Sequence, residues 1–138
     1  EIFKEKVEEH LIQPTIIYDF PIEVSGLAKQ KKQDPRFAER FEPYINGLEI
    51  GNSYSEGNNP ELIEEYWKKA EEEIKTGNLE AQRLDQDFLT ALRYGMPPTS
   101  GLGVGVDRIV MLLTNSPSIR DIIFFPFMKP ENDTNTPI

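Results

Sequence analysis

Cysteine is absent from the 138 residues, which excludes disulfides and thiolate metal sites and makes a cytoplasmic setting the natural expectation. Histidine occurs once, at His10, so neither a paired-imidazole metal site nor a histidine-centred triad has its partners, and a structural or exposed role is the reading. Long apolar runs are also missing. No stretch approaches the roughly 20 residues that span a bilayer, and the start does not resemble a signal peptide, so no membrane partner is expected. Positive charge is scarce, with 15 Lys and Arg against 24 Asp and Glu. The net charge of -9 argues against nucleic-acid binding by this segment alone, because phosphate contacts need clustered cations. An acidic surface suits a cationic substrate or hard metal ions, while most of the acid between residues 61 and 80 reads as solvated helix.

The remaining composition, 28% charged and 38% apolar, is that of a soluble chain able to close one core. Residues 1–13 place Phe3, Val7 and Leu11 four apart and stop at Pro14, which predicts a short amphipathic helix already under way at Glu1 and further chain upstream. Residues 15–20 are β-branched and aromatic, the pattern of a buried strand. A polar loop over 25–35 carries Lys29, Lys31 and Lys32, a cluster that reads as solvated. Asn59 as N-cap, Pro60 in the first turn and Gly77 past the end bracket a helix over 60–76, with Ile63, Tyr66, Trp67 and Ile74 as its packing stripe. A second helix over 85–94 is stopped by Gly95 and Pro97-Pro98. A glycine-alternating strand at 101–105, a helix at 106–113 with apolar residues on every side and therefore expected to be buried, one more helical turn at 118–123 and extended chain at 124–127 follow, with 129–138 as a fraying tail. Strands joined by a hairpin, with helices set between them, predict an α+β fold on an antiparallel sheet.

Asn46-Gly47 between two strand-like segments predicts a hairpin with a type I′ turn. Ile45 then faces Leu48, Tyr44 faces Glu49 and Glu42 faces Gly51. Glu42, Tyr44 and Glu49 share one face, and the two carboxylates become diagonal neighbours within reach of one cation. Such a pair repels itself unless something positive lies between, so magnesium bridging to a nucleotide phosphate stands beside the plainer reading of a solvated sheet face. Simple alternation puts Asn52, Tyr54 and Glu56 on the face opposite Glu49. A β-bulge near Gly51 would bring them round.

GLGVGVDR at 101–108 places Gly101, Gly103 and Gly105 two apart, leaving one strand face bare enough for a flat ring to approach the backbone. Close strand packing explains the spacing equally well. Arg108 follows in the first turn of a helix, where backbone donors and the helix dipole already favour phosphate. The third glycine comes one position too early for the dinucleotide-binding G-x-G-x-x-G pattern.

RFEPYINGLEIGNSYSE at 40–56 and PPTSGLGVGVDRIVMLLTNSPSIRDIIFFP at 97–126 resemble class II lysyl-tRNA synthetases, the second segment matching their motif 3. YDFPIEVSGLAK at 18–29 extends the resemblance over most of 1–130. It implies the C-terminal portion of a class II catalytic domain over 1–130 and a flexible tail over 131–138. It further implies that Glu42 and Glu49 hold magnesium at the ATP phosphates and that Asn52, Tyr54 and Glu56 line a lysine pocket. Arg108 would pack on adenine and touch the triphosphate, beside Gly101, Gly103 and Gly105. The implied reaction is ATP-dependent formation of lysyl-adenylate and transfer of lysine to tRNA(Lys) by a full-length homodimer, without a protein nucleophile. Rival readings are a shortened relative that attaches lysine to elongation factor P, and a noncatalytic paralogue that uses the fold as a binding module. Two departures stand out: Gly26 replaces a usual proline, and Gly57-Asn58-Asn59 replaces leucine, asparagine and aspartate.

Motif 1, motif 2 with its ATP-binding arginine and the anticodon-reading OB-fold have no counterpart in the 138 residues. The purified chain is therefore expected to catalyse no lysine-dependent exchange of pyrophosphate into ATP. Exchange above background would show that the essential residues lie elsewhere than the resemblance implies.

Overall fold

The computed structural model describes residues 2–75, 77 and 85–127. Its backbone contacts form one unit that runs to Gly105 and a second that starts at Val106. The first unit is built on β1 (Thr15–Tyr18), β2 (Arg40–Ile45), β3 (Leu48–Glu49), β4 (Gly51–Ser55) and β5 (Ser100–Val104). They make one antiparallel sheet in the order β1-β2-β4-β5, with β3 paired to β2, in agreement with the α+β expectation. β1 stops two residues short of the expected end, at Asp19, whose φ of 62° leaves the extended region.

The hairpin forms as its turn residues require. Asn46 and Gly47 have φ of 52° and 71°, Tyr44 pairs with Glu49, and Ile45 pairs with Leu48. Beyond that point the register slips. Phe41 pairs with Ser53 and Arg40 with Tyr54, so Glu42 and Pro43 oppose the three residues Ile50, Gly51 and Asn52. This β-bulge lies where the conflict in side-chain alternation requires one, and it replaces the direct facing of Glu42 and Gly51 in an unbroken ladder. Pro43, which has no N–H to give a ladder, sits opposite the bulge and accepts from the Ile50 N–H at 2.8 Å.

The continuous helix expected over 1–13 is divided. Helix α1 (Ile2–Lys6) is followed by a 3-10 turn (Glu8–His10), with Val7 between them at φ -124°. Residues 11 and 12 instead run along the hairpin tip, where the Leu11 and Ile12 carbonyls accept from Gly47 and Asn46 N–H at 3.0 Å. Those tertiary bonds outweigh a propensity for one more helical turn.

Helix α2 (Pro60–Lys75) begins where expected, because Asn59 Oδ1 accepts from the N–H groups of Glu61 and Leu62 at 3.0 and 3.1 Å. Helix α3 (Gln86–Tyr94) is capped likewise by Asp85, which accepts from Phe88 N–H. Ile63 and Trp67 of α2 pack with Leu89 and Leu92 of α3 into the main apolar core, and Trp67 meets Phe88 edge-on at 5.5 Å.

The second unit holds α4 (Val106–Thr114) and a 3-10 turn (Ile119–Asp121) capped by the Ser118 hydroxyl. Here the expectation of a buried helix fails: α4 has no buried residue, and Leu113 is 82% exposed. Among the described elements of its unit the 3-10 turn lies against it, and an apolar helix surface becomes core only where neighbours cover it. Residues 124–127 form no strand, and the tail expected at 129–138 lies outside the described residues. No helix among the described residues is long and apolar enough to cross a membrane.

A Cβ added to Gly51 would meet the Gly103 carbonyl oxygen at 2.6 Å, whereas one added to Gly103 would meet nothing closer than 3.8 Å. Gly51→Ala is therefore expected to destabilise the protein by about 1 to 3 kcal/mol, and Gly103→Ala by clearly less. Urea unfolding of the two variants checks this. Equal costs would show that β4 and β5 do not approach as closely as described.

Candidate functional site

The bulge decides which side chains share a face. Tyr44 and Glu42 lie together, as the 2.6 Å hydrogen bond from the Tyr44 hydroxyl to Glu42 Oε2 requires, and Glu49 pairs with Tyr44. Arg40 joins that face by donating to Glu42 Oε1, and its Nε donates to Asn52 Oδ1 at 3.1 Å. The extra residue has thus turned Asn52 to the side that carries Glu42 and Glu49. Tyr54 pairs with Arg40 on one side and with Gly101 on the other, and Asn52 pairs with Gly103. Paired residues share a face, so the bare side of the glycine strand is continuous with Asn52 and Tyr54. Glu56 completes the row: a Cβ on Gly101 would fall 2.6 Å from its Oε1, so the glycine makes room for this carboxylate.

Glu42 is only 6% exposed, and a buried carboxylate needs partners on its oxygens. Arg40 Nη2 meets one oxygen at 2.5 Å and Tyr44 donates to the other. Arg40 is itself held by the Phe20 ring, 4.7 Å from its guanidinium carbon, and by donation from Nη1 to the Val24 carbonyl and the Ser25 hydroxyl at 3.1 and 3.5 Å. Burial raises the Tyr44 pKa well above the ordinary tyrosine value, followed by the hydrogen bond to Glu42 and the charges of Glu42, Glu8 and Glu49, so its hydroxyl remains a donor. Tyr54 is raised by burial and then by the charge of Glu56.

Arg40 escaped the sequence reading, although its position two residues before Glu42 on a strand places it on the same face. Lys31, read as part of a solvated cluster, is partly buried and pairs with Asp19. Gly105 donates its N–H to the Ile50 carbonyl at 2.8 Å, tying the end of β5 to the bulge. Arg108 lies in the second unit as the exposed third residue of α4.

Glu42 and Glu49 offer the hard oxygen donors that magnesium takes. A carboxylate has about four lone-pair sites and Glu42 accepts two hydrogen bonds, so capacity remains. Among the described residues no group of three or more His, Cys, Asp or Glu could hold a metal. An open cleft of about 1020 Å³ between the 22–30 segment and α2 contains none of these residues.

A family model for tRNA synthetases class II (D, K and N) matches residues 2–129. A lysine-tRNA ligase of Nostoc punctiforme is 57% identical over 129 residues, which is 94% of this chain and 23% of that protein. The lysine-tRNA ligases of Staphylococcus haemolyticus and Bacillus subtilis are each 54% identical over 129 residues, covering 94% of this chain and 26% of their own length. The chain therefore spans about a quarter of the length of the curated relatives it matches. An antiparallel sheet carrying the quoted motifs, and a match over nearly the whole sequence, lead to one conclusion: the chain belongs to the class II tRNA synthetases of the D, K and N group.

Proposed function

We propose that this chain supplies, within its full-length protein, the C-terminal part of the active site of a lysine-tRNA ligase. The observation that supports this reading is the bulge at Ile50 and Gly51, which gathers Glu42, Glu49, Asn52, Tyr54 and Glu56 beside the glycine-bare strand. An acidic face next to a surface able to take a flat ring suits a cationic amino acid and a nucleotide together.

In this reading Glu56 pairs with the ε-ammonium of lysine, while Tyr54 closes the pocket and Asn52 hydrogen-bonds the amino acid. Glu42 and Glu49 would hold magnesium, which neutralises phosphate charge when bound. Gly101, Gly103 and Gly105 admit the nucleotide base, and Arg108 contacts ATP. The lysine carboxylate attacks the α-phosphorus of ATP, pyrophosphate leaves, and the aminoacyl group then passes to tRNA(Lys). No protein nucleophile is required, so these residues act by orientation and by charge. Residues 1–130 would be part of the catalytic domain of a cytoplasmic homodimer, with 131–138 as its tail.

The charge on Glu56 is the testable centre of this reading. Glu56→Gln keeps the shape and an acceptor oxygen but leaves a desolvated ammonium without its counter-charge, a loss that typically costs about 3 to 5 kcal/mol. In the full-length protein kcat/KM for lysine should fall on the order of 100-fold or more, while ATP affinity changes little. A surface glutamate at a strand end would change activity by no more than about 0.5 kcal/mol, and that result removes Glu56 as the specificity residue.

A further inference from the structure

We infer that Arg40 is a positioning residue, which fixes the side-chain amide of Asn52 as a hydrogen-bond donor toward the bound amino acid. This rests on the lysine-activation reading and adds to it a residue that touches no substrate.

The argument starts from what an arginine can do. Its guanidinium carries five N–H donors and no acceptor, so the Asn52 atom facing Nε at 3.1 Å must be the carbonyl oxygen. The Asn52 NH2 group is thereby directed to the other end of its planar amide. No described residue accepts a hydrogen bond from it, and its cross-strand neighbour on β5 is Gly103, which has no side chain to offer. The amide therefore presents a donor on the glycine-bare face, and a donor there selects an acceptor oxygen of the ligand. Without Arg40 the amide could turn over and present its carbonyl oxygen, which repels a carboxylate.

Arg40 has the fixed geometry this task needs. Nη2 is held by Glu42, Nη1 by the Val24 carbonyl and Ser25 hydroxyl, and the guanidinium lies over Phe20. With these anchors in place the direction of Nε is set before any ligand arrives. A lysine at the same position can keep the charge beside Glu42, but its ammonium cannot reproduce the planar fork that also points at Asn52.

The test uses the full-length protein and a double-mutant cycle. Pyrophosphate exchange with each amino acid first establishes which one the unsubstituted protein activates. Preference for an amino acid other than lysine overturns the lysine reading, and the cycle is then measured on the preferred one. A protein that activates none overturns both. Arg40→Lys is expected to raise the KM for lysine on the order of tenfold, as loss of one oriented hydrogen bond would, with kcat and the KM for ATP little changed. Asn52→Ala should raise it comparably, and the double variant no further than the larger single effect, because Arg40 acts through Asn52. Single effects that multiply in the double variant overturn the inference. So does a purely structural outcome, in which Arg40→Lys lowers Tm but the folded enzyme keeps its KM for lysine.

Discussion

One extra residue between Glu49 and Ser53 organises everything else in the first unit. A strand turns successive side chains to opposite faces, so an unbroken ladder would leave Glu49 on one side and Asn52 and Tyr54 on the other. Placing three residues opposite two cancels that division and leaves the rest of β4 in regular pairing with β5. The local sequence makes the irregularity tolerable. Pro43 has no donor to lose opposite the bulge, and Gly51 admits the Gly103 carbonyl to a distance that a Cβ would forbid.

Concentrating acid on one face has an electrostatic cost, and the arrangement of Arg40, Glu42 and Tyr44 shows how part of it is met. Glu42 is the most buried carboxylate of the row, and it receives a guanidinium and a hydroxyl held firmly in its protonated form. Removing one partner of a buried pair is typically far more damaging than never having had the pair, by about 3 to 5 kcal/mol. The partners of Glu42 therefore belong to the stability of the empty face as much as to any ligand. With Glu49 and Glu56 the face carries three carboxylates, the chemistry that suits an ammonium group and a hard metal ion.

The legible parts of this fold were those written in local chemistry. Asn46-Gly47 fixes a turn because both positions need positive φ, and Asn59 and Asp85 announce helices because their side chains satisfy otherwise orphaned N–H groups. The bulge was legible in a different way, as the one irregularity able to reconcile the alternation with a common site. What stayed hidden depends on distant partners. The division of the first helix follows from bonds to the hairpin tip, and whether an apolar helix such as α4 is covered depends on neighbours that its own sequence does not name. Arg40 shares a face with Glu42 by simple alternation, but its link to Asn52 exists only across the bulge.

The two departures from the family pattern bear on the least obvious question, what holds Glu56 in place. Its backbone is clamped from both sides: its N–H donates to the Thr99 carbonyl at 2.9 Å, and it bridges to Ala28. The flanking bonds, Gly57 N–H to the Leu27 carbonyl at 2.7 Å and Lys29 N–H to the Ser55 carbonyl at 2.8 Å, extend that clamp. Gly57 is needed for this approach, since a Cβ would meet both the Leu27 oxygen and Ile63 Cδ1 of α2 at 2.8 Å. Gly26 lies against the same helix, where a Cβ would fall inside contact distance of the Tyr66 ring. Both glycines therefore sit where the 25–29 segment meets the start of α2, and there they let backbone and ring pack closely. A Cβ at 26 would require the Tyr66 ring to move. The bonds that clamp Glu56 form with both glycines in place, so these departures do not oppose its proposed role in amino-acid choice.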